Sequence, residues 1–377
     1  MVLVAIVSAG IGAARVSAED QLLATASYGY DSNPFKLSSP EGIQAGAEYK
    51  ALRLKYEADN QRQGSAKKAN LRYRGELQKD IYSHSSSAGD SSTIKGHISW
   101  IERFKLGERK ANLRLSGDLR SEKNTYYSQI QRQIAETNEG DLIDGRFSFD
   151  NLAMSAELSY YLDKKTSWSL LSQFSQRNYR EDYESIDLES LDYSEFRLQP
   201  GLRYKADSGL NTRLFVYHKS RRYKGLHNSP EANSSLVEYS LNGYGLVLSK
   251  PITEHIDTLF YLSGYFARDN GKGIRDLNFH RLSITLNYQF GNTAEIAVKA
   301  QAYQRGYLDV QLAPEESETG VSGSTRRGAV AEIVYSQPLF SEALRGFVSL
   351  GKEYEHNSLE GLGYQRNTVV IGLHYEL

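Results

Sequence analysis

Residues Lys68 to Lys79 read "KANLRYRGELQK", a stretch with a strict two-residue period. Every second residue is apolar or small: Ala69, Leu71, Tyr73, Gly75 and Leu77. The residues between them are polar: Asn70, Arg72, Arg74, Glu76 and Gln78. Successive side chains of a β-strand point to opposite faces, so the stretch predicts a strand with one apolar face and one strongly charged face. Such a strand needs an apolar medium on one side and water on the other.

The same alternation recurs along almost the whole chain. It is clearest in "ALRLKYEAD" (51–59), "ANLRLSGDLR" (111–120) and "RLSITLNYQF" (281–290). A period of two held over so many residues is typical of strands whose two faces have different surroundings. The chain is therefore predicted to be all-β.

The predicted connections alternate strictly between short and long. The seven short ones are Asn60–Ser65, Leu106–Glu108, Asp163–Lys165, Ala206–Gly209, Lys250–Glu254, Gly291–Thr293 and Gln337–Glu342. The eight long ones are Ser32–Glu41, Asp80–Ser91, Glu122–Asp144, Asp182–Leu191, Gly225–Asn233, Asn270–Arg275, Asp309–Gly323 and His356–Gly361. Outer-membrane barrels have an even number of antiparallel strands, short periplasmic turns and long external loops. We therefore predict one transmembrane antiparallel β-barrel of about 16 strands over residues 19–377.

Two places interrupt the alternation. Pro200 lies inside the predicted strand Tyr193–Lys205, where it removes a hydrogen-bond donor from the ladder. Ala51 and Leu52 are both apolar and adjacent, so the pattern slips by one residue. We expect a β-bulge at each place.

Composition excludes several classes of protein. Mean hydropathy is −0.54, and after the first dozen residues no apolar run approaches the roughly 20 residues of a spanning helix. The 377 residues include no cysteine, which excludes disulfides and thiolate chemistry, and the net charge of −1 gives no reason to expect a nucleic-acid partner. The 27 tyrosines are abundant. Amphipathic rings near strand ends are expected at headgroup level: Tyr28, Tyr30, Tyr49, Tyr56, Tyr73, Trp100, Trp168, Tyr204, Tyr239, Tyr288, Tyr335 and Tyr375.

The N-terminus has the pattern of an export signal. An apolar segment from Val2 to Ala14 precedes the small-residue run Val16-Ser17-Ala18. This pattern predicts a signal peptide over residues 1–18, cleaved after Ala18, although the basic residues usual at its start are missing. A short buried helix or strand is the alternative.

The alternation assigns a set of charged side chains to the lumen. The basic ones are Arg53, Lys55, Arg72, Arg74, Arg114, Arg120, Arg197, Arg203, Arg213, Arg281 and Lys299. The acidic ones are Glu57, Asp59, Glu76, Asp118, Glu195, Glu238 and Glu332. A basic excess inside a channel favours anionic solutes. The alternative is that these charges pair across neighbouring strands and only keep the lumen wet.

The third long connection is a candidate constriction loop. It contains Glu136, Glu139, Asp141 and Asp144, and in general trimeric porins the corresponding loop folds into the pore. The signature that those porins carry there is absent, and "NEGDLIDG" (138–145) stands in its place. A constriction opposite the inward arginines is a hypothesis.

No motif for catalysis or metal binding emerges. The eight histidines are scattered, with no metal-site spacing and no cysteine to complete one, so neither a metal nor a cofactor is expected. His84 lies beside Ser83 and Ser85 in a long connection, but a catalytic triad is defined by geometry and not by adjacency. We predict that the protein is not an enzyme.

Both ends of the predicted barrel carry resemblances. The C-terminal "VVIGLHYEL" resembles the β-signal that the outer-membrane assembly machinery recognises, with Gly372, Tyr375 and Leu377 at the matching places. Val370 stands where a polar residue is usual, and the last residue is Leu and not the commoner Phe.

The segment "SYGYDSNPFKL" (27–37) resembles the opening hairpin of the β-barrel porin 2 group and of barrels encoded with exopolysaccharide machinery. An ordinary Asx-type turn explains the same residues.

These observations predict a channel in the outer membrane of a Gram-negative cell that passes polar solutes. The resemblance implies polysaccharide export, with polysaccharide and periplasmic export proteins as partners beside outer-membrane lipid, lipopolysaccharide and the assembly machinery. A general diffusion porin is the first alternative. A closed barrel whose acidic external loops bind a partner or a surface polymer is the second.

Overall fold

The computed structural model describes residues 20–32, 46–59, 69–82, 91–127, 142–144, 148–179, 192–227, 235–270, 276–291, 293–307, 325–358 and 363–377. These residues form seventeen β-strands. The strands are β1 Asp20–Asp31, β2 Ala47–Asp59, β3 Ala69–Tyr82, β4 Ser91–Leu106, β5 Arg109–Tyr127, β6 Leu142–Asp144, β7 Phe149–Tyr161, β8 Thr166–Tyr179, β9 Tyr193–Lys205, β10 Asn211–His227, β11 Leu236–Pro251, β12 Ile256–Asp269, β13 Leu277–Gln289, β14 Glu295–Tyr307, β15 Thr325–Ser341, β16 Leu344–Asn357 and β17 Tyr364–Glu376. In this part of the chain no helix is long and apolar enough to cross a membrane.

Sixteen of the described strands close into one antiparallel barrel. Each strand pairs with its neighbour in chain order, with β5 pairing directly with β7, and β17 pairs with β1. Closure leaves no sheet edge, which is what a membrane requires because unpaired backbone groups are costly in hydrocarbon. The fold predicted from the alternation is confirmed.

The outer face of the barrel is apolar. Its side chains include Leu71, Leu77, Ile98, Leu115 and Met154, each between a third and two thirds exposed. Most charged residues of the same strands occupy the alternate positions and face the lumen, with Lys79 of β3 among the exceptions. An apolar outer band with a polar interior is the organisation of a transmembrane barrel.

Most of the predicted interfacial rings alternate in step with the outer apolar side chains, but two do not. Tyr49 faces the lumen, where its ring stacks on Tyr82 with centroids 5.2 Å apart. Tyr239 also faces the lumen, 6.0 Å from the ring of Tyr223. Tyrosine suits either face because its ring is apolar and its hydroxyl polar, so ring position alone did not fix the face.

Neither predicted bulge forms. The register of β1 and β2 is constant through Ser27–Ala51 and Ala26–Leu52. The alternation does not slip there because Lys50 takes the outer face. Pro200 lies opposite Leu170 without a register shift, and the sheet tolerates its missing donor as a local gap in pairing with β10. The register irregularities that do occur lie between Arg222 and His227 and between Pro338 and Ser341.

The barrel has a short-turn end and a long-loop end. Among the described turns, Gly107 adopts a left-handed φ of 64°. In the turn between β7 and β8, the backbone N–H groups of Lys165 and Thr166 donate to Asp163 Oδ1 at 2.6 and 2.7 Å. These bonds hold the pKa of Asp163 below its usual value because they stabilise the carboxylate. The last predicted turn, Gln337–Glu342, is too long, since β15 continues to Ser341.

Five inward-facing glycines lie directly opposite aromatic residues of a neighbouring strand. The pairs are Gly29–Tyr49, Gly243–Tyr217, Gly245–Phe215, Gly328–Tyr303 and Gly372–Phe347. In each pair the ring lies over the glycine, so that an added Cβ would come within 2.1 to 2.9 Å of a ring atom. The ring covers the backbone that glycine leaves bare, and it lies flat against the wall. These pairs keep bulky aromatics within a polar lumen.

Candidate functional site

The lumen wall carries the charged residues that the alternation assigned to it. Arg53, Lys55, Arg72, Arg74, Arg114, Arg120, Arg197, Arg203, Arg213, Arg281 and Lys299 all occupy inward positions in the strand registers. Glu238 is the exception among the acidic residues. It lies on the outer face, where Arg222 Nε donates to it at 2.6 Å. Of Asp59 only the backbone is described.

On β2 and β3 two inward carboxylates, those of Glu57 and Glu76, are each shared between two cations. Glu76, nearly buried, contacts Arg53 at 3.0 Å and Lys95 at 2.7 Å. Glu57 contacts Lys55 at 2.8 Å and also pairs with Arg74. Each of these two carboxylates therefore has two cations around it, and the charge at each place is net positive.

Two polar recesses lie side by side on this part of the wall. One, of about 380 Å³, is lined by Glu57, Arg72, Arg74 and Arg114 among others. The other, of about 410 Å³, also reaches Arg74 and includes Arg120. His97 belongs to both recesses, and its Nδ1 lies 2.6 Å from Asp118 Oδ1. The recesses are concave and charged, with room for water and small polar solutes.

A second cluster, the Glu157 cluster, consists of Glu157, Arg114, Arg203 and Arg213. Glu157 Oε1 accepts from Arg203 Nη2 at 2.8 Å and lies 3.9 Å from Arg213 Nη2. Its other oxygen lies 3.7 Å from Arg114 Nη1. One carboxylate thus faces three guanidinium groups, which are between a third and a half exposed to the lumen. The cluster carries a local excess of positive charge.

A third cluster, the Glu195 cluster, consists of Glu195, Lys219 and Arg221. Lys219 Nζ lies 2.9 Å from Glu195 Oε1, and Arg221 donates to Oε2 through Nε at 3.1 Å and Nη2 at 2.8 Å. Again two cations share one carboxylate. The Arg221 guanidinium also lies over the ring of Tyr193, 4.2 Å from its centroid.

Stacking of arginine on aromatic rings continues around the wall from β8 to β14. Arg177 lies 4.1 Å from the ring centroid of Phe149, and Arg197 lies 4.4 Å from that of Tyr217. Arg281 lies 5.0 Å from that of Tyr261. Stacking restricts the position of a guanidinium group without neutralising its charge. The wall therefore presents a row of charged arginines whose positions are fixed by neighbouring rings.

Several arginine donors remain after all described contacts are counted. The Nε groups of Arg177, Arg197, Arg203, Arg213, Arg281, Arg305 and Arg326 are buried with no hydrogen-bond partner among the described residues. These Nε atoms lie within the wall with almost no exposed surface, so they do not themselves offer donors to a solute in the lumen.

The charge distribution differs near the seam where β17 meets β1. There Arg366 contacts both Asp31 and Glu353, with 2.6 Å from Nη2 to Asp31 and 3.4 Å from Nη1 to Glu353. Tyr364 donates to Glu353 at 2.6 Å, and Tyr303 donates to Glu355. Among the described residues of this group carboxylates outnumber cations, in contrast to the Glu157 cluster.

The candidate constriction loop falls mostly outside the described residues. Glu136, Glu139 and Asp141 are not among them, and of Asp144 only the backbone is described, in β6. β5 runs on to Tyr127, farther than the sequence predicted, and its last residues pair with β6. The first residues of the predicted loop, through Tyr127, therefore belong to β5.

The residues of the proposed assembly signal lie at the closure of the barrel. Gly372 pairs with Ser27, and Tyr375 pairs with Ala24. Leu377 exchanges backbone hydrogen bonds with Leu22 at 2.9 and 3.1 Å. Their role in assembly stays a prediction.

Among the described side chains, no group of three or more His, Asp or Glu residues has the geometry to hold a metal ion.

Sequence reasoning missed Glu157, Lys219 and Arg221. Glu157 lies in "AMSAELSYY" (153–161), where its inward neighbours Ser155 and Ser159 are small and uncharged, so the inner face of this strand does not stand out as charged. Lys219 and Arg221 lie in β10, whose outer positions include His218 and Ser220. Polar residues on the outer face near the long-loop end hide the period. One signal was available in β10. Leu214 and Val216 mark the outer face, so Phe215 and Tyr217 face inward, and counting on in steps of two from Tyr217 places Lys219 and Arg221 inward as well.

Comparison with solved structures identifies the fold. The outer-membrane channel DcaP of Acinetobacter baumannii superposes with a TM-score of 0.52 at 12% identity, covering 95% of this chain and 96% of that one. This chain has the fold of outer-membrane channel barrels. A BenF-like porin from Pseudomonas fluorescens Pf-5 gives 0.48 at 10% identity, covering 96% and 100%. A bacterial polysaccharide outer membrane secretin gives 0.43 at 9%, covering 95% and 98%. No family model and no curated protein matches the sequence.

Proposed function

We propose that this protein is an outer-membrane channel that passes polar solutes without catalysis and prefers anions. The observation that carries the preference is the Glu157 cluster, in which one carboxylate faces three arginines. The Glu195 cluster repeats the imbalance with two cations. Fixed positive charge on a lumen wall lowers the energy of an anion beside it and raises that of a cation.

The membrane location rests on the barrel itself. An apolar outer face, a charged inner face and complete closure suit a protein that spans a bilayer and encloses water. Barrels of this kind in bacteria belong to the outer membrane, with short turns on the periplasmic side and long loops outside. We assign the short-turn end of this barrel to the periplasm.

Polysaccharide export is a second candidate, and one feature of the wall favours it. Rings including Tyr217 and Tyr261 line the lumen beside arginines. Such a wall offers sugars both apolar faces and hydrogen-bond donors. The resemblance to the β-barrel porin 2 group points the same way and stays a prediction. An exporter would work with separate periplasmic export proteins.

Single-channel recording tests these proposals. The protein would be refolded, checked by heat-modifiable migration, and inserted into a phosphatidylcholine bilayer under a potassium chloride gradient. A stable conductance with a reversal potential on the anion side supports the proposed channel, and block by oligosaccharides adds the sugar pathway. If folded protein gives no conductance, the channel proposal fails, and a closed barrel whose external loops bind a partner becomes the better explanation.

A further inference from the structure

Two lysines face outward on a surface that is mostly apolar, with Glu48 on the same face two residues before one of them. Lys50 of β2 and Lys79 of β3 occupy outer positions, and both are exposed. Lys50 pairs with Ile81, and Leu52 pairs with Lys79, so the two lysines are diagonal neighbours across the strands. Both lie three residues from the long-loop end of their strands.

Neither lysine has an anionic partner among the described residues. Their ammonium groups make no ion pair within 4 Å with any described carboxylate, unlike the inward Lys55 and Lys95. An unpaired lysine on the lipid face of a barrel is strongly destabilising at the bilayer midplane and is tolerated near the interface. The position near the strand ends places these cations at the interface, where headgroup phosphates are available.

An apolar groove of about 790 Å³ begins at these lysines. It crosses the outer face over β3, β2, β1, β17, β16 and β15, and ends at Tyr335 and Gln337. Ala26 and Gly346 form its floor, where larger side chains would fill it. Six strands spaced about 4.8 Å apart make a groove on the order of 24 Å long, which is long enough to hold an extended lipid acyl chain.

A second outer groove provides the comparison. It measures about 590 Å³ and lies over β3 to β9, with Leu71, Trp100, Met154, Phe174 and Phe196 among its lining residues. No charged residue lines it. Any lipid chain can occupy such a surface. The first groove differs in having two unpaired cations at one end, and it therefore selects a lipid with an anionic head.

We propose that the groove binds lipid A, the phosphorylated acylated base of lipopolysaccharide, with a phosphate between Lys50 and Lys79 and an acyl chain along the groove. The proposal rests on the assigned location, because lipopolysaccharide lies in the outer leaflet at the long-loop end. Two ammonium groups suit a phosphate that carries more than one negative charge, since charge-assisted hydrogen bonds to each add. Basic groups close to an anionic membrane surface are attracted to it.

Native mass spectrometry of the full-length refolded barrel, released from detergent micelles, tests the site. The probes are diphosphoryl lipid A, monophosphoryl lipid A and dioleoyl phosphatidylglycerol. We expect wild type to retain one diphosphoryl lipid A, and Lys50→Gln with Lys79→Gln to bind it at least tenfold more weakly. Gly346→Leu, which fills the groove and leaves the lysines, is expected to weaken binding as well. Lys164→Gln, in the turn at the opposite end, is the control for loss of charge and is expected to bind as wild type does.

Three results would overturn the proposal. They are equal lipid A binding by wild type and the double lysine variant, equal weakening by Lys164→Gln, and binding of phosphatidylglycerol as tight as that of diphosphoryl lipid A. Heat-modifiable migration confirms that each variant is folded before binding is measured. Conductance in phosphatidylcholine alone needs no lipid A, so the channel and the lipid site can fail independently.

Discussion

Arg366, on the last strand of the barrel, forms a bidentate ion pair with the carboxylate of Asp31 on the first strand. Its Nε and Nη2 groups donate to Asp31 Oδ1 and Oδ2 at 3.0 and 2.6 Å. Asp31 is 0% exposed, and Tyr82 donates a further hydrogen bond to it at 3.2 Å. The contact joins residues 335 positions apart in sequence. It therefore fastens the seam at which the barrel closes.

Removing the cation from this pair should destabilise the barrel. Arg366→Met removes the guanidinium that contacts the buried carboxylate of Asp31, and losing one member of a buried pair costs roughly 3–5 kcal/mol. We expect a drop of about 3 kcal/mol in the free energy of unfolding, measured by urea titration of the barrel in lipid vesicles. The outer pair of Arg222 and Glu238 provides the control, because Arg222→Met removes an exposed partner worth about 1 kcal/mol or less. Equal losses from the two variants would mean that burial of Asp31 adds nothing.

The Glu157 cluster should set the sign of ion selectivity. Changing Arg114, Arg203 and Arg213 to serine removes three cations and leaves Glu157 unpaired. We expect the reversal potential under a potassium chloride gradient to move toward the cation side, with the anion-to-cation permeability ratio falling roughly severalfold. Arg222→Gln makes a change of the same sign on the outer face and should leave the ratio as it was. An unchanged ratio in the triple variant would show that these arginines do not face the conducting path.

The glycine–aromatic pairs should matter for packing and not only for backbone freedom. An alanine Cβ at position 245 would come 2.1 Å from Phe215, whereas at Gly75 it would meet nothing within 4 Å. We therefore expect Gly245→Ala to cost about 1–3 kcal/mol of unfolding free energy as overpacking, and Gly75→Ala to cost none. Adding Phe215→Leu to Gly245→Ala should recover part of the loss. No recovery would indicate that the backbone at position 245, and not the ring, is the constraint.

The alternation in the sequence was enough to predict closure, strand number and most of the lumen wall. A period of two assigns a face to every residue once a few apolar ones fix the phase, as Leu71 and Leu77 do for Arg72 and Arg74. It failed where both faces are polar, as at Glu238, and where an amphipathic ring suits either face, as at Tyr49. The supposed bulge at Ala51 arose because a lysine on the outer face was not expected.

Shared contacts could not be predicted from the sequence at all. The alternation placed Arg114, Arg203 and Arg213 in the lumen, but it says nothing of which strands bring them to one carboxylate. That depends on the register between β5, β7, β9 and β10, which is a property of the closed barrel. The partition of the lumen into basic and acidic parts follows from register in the same way.

Neutralising the candidate constriction loop should change ion selectivity in the opposite direction to removing the arginines of the Glu157 cluster. If the third long connection enters the pore, its carboxylates oppose anion passage, so neutralising them should raise the anion-to-cation permeability ratio. The variant changes Glu136, Glu139 and Asp141 to Gln or Asn together with Asp144→Asn, and reversal potential is the measurement. The same neutralisation at Glu315, Glu316 and Glu318, in the seventh long connection, controls for general surface charge. A rise in both variants would indicate a surface-charge effect, and no change in the first would mean that the loop lies outside the pore. A rise in the permeability ratio that is confined to the variant of the third long connection would mean that its acidic residues oppose anion passage, whereas the arginines of the Glu157 cluster favour it.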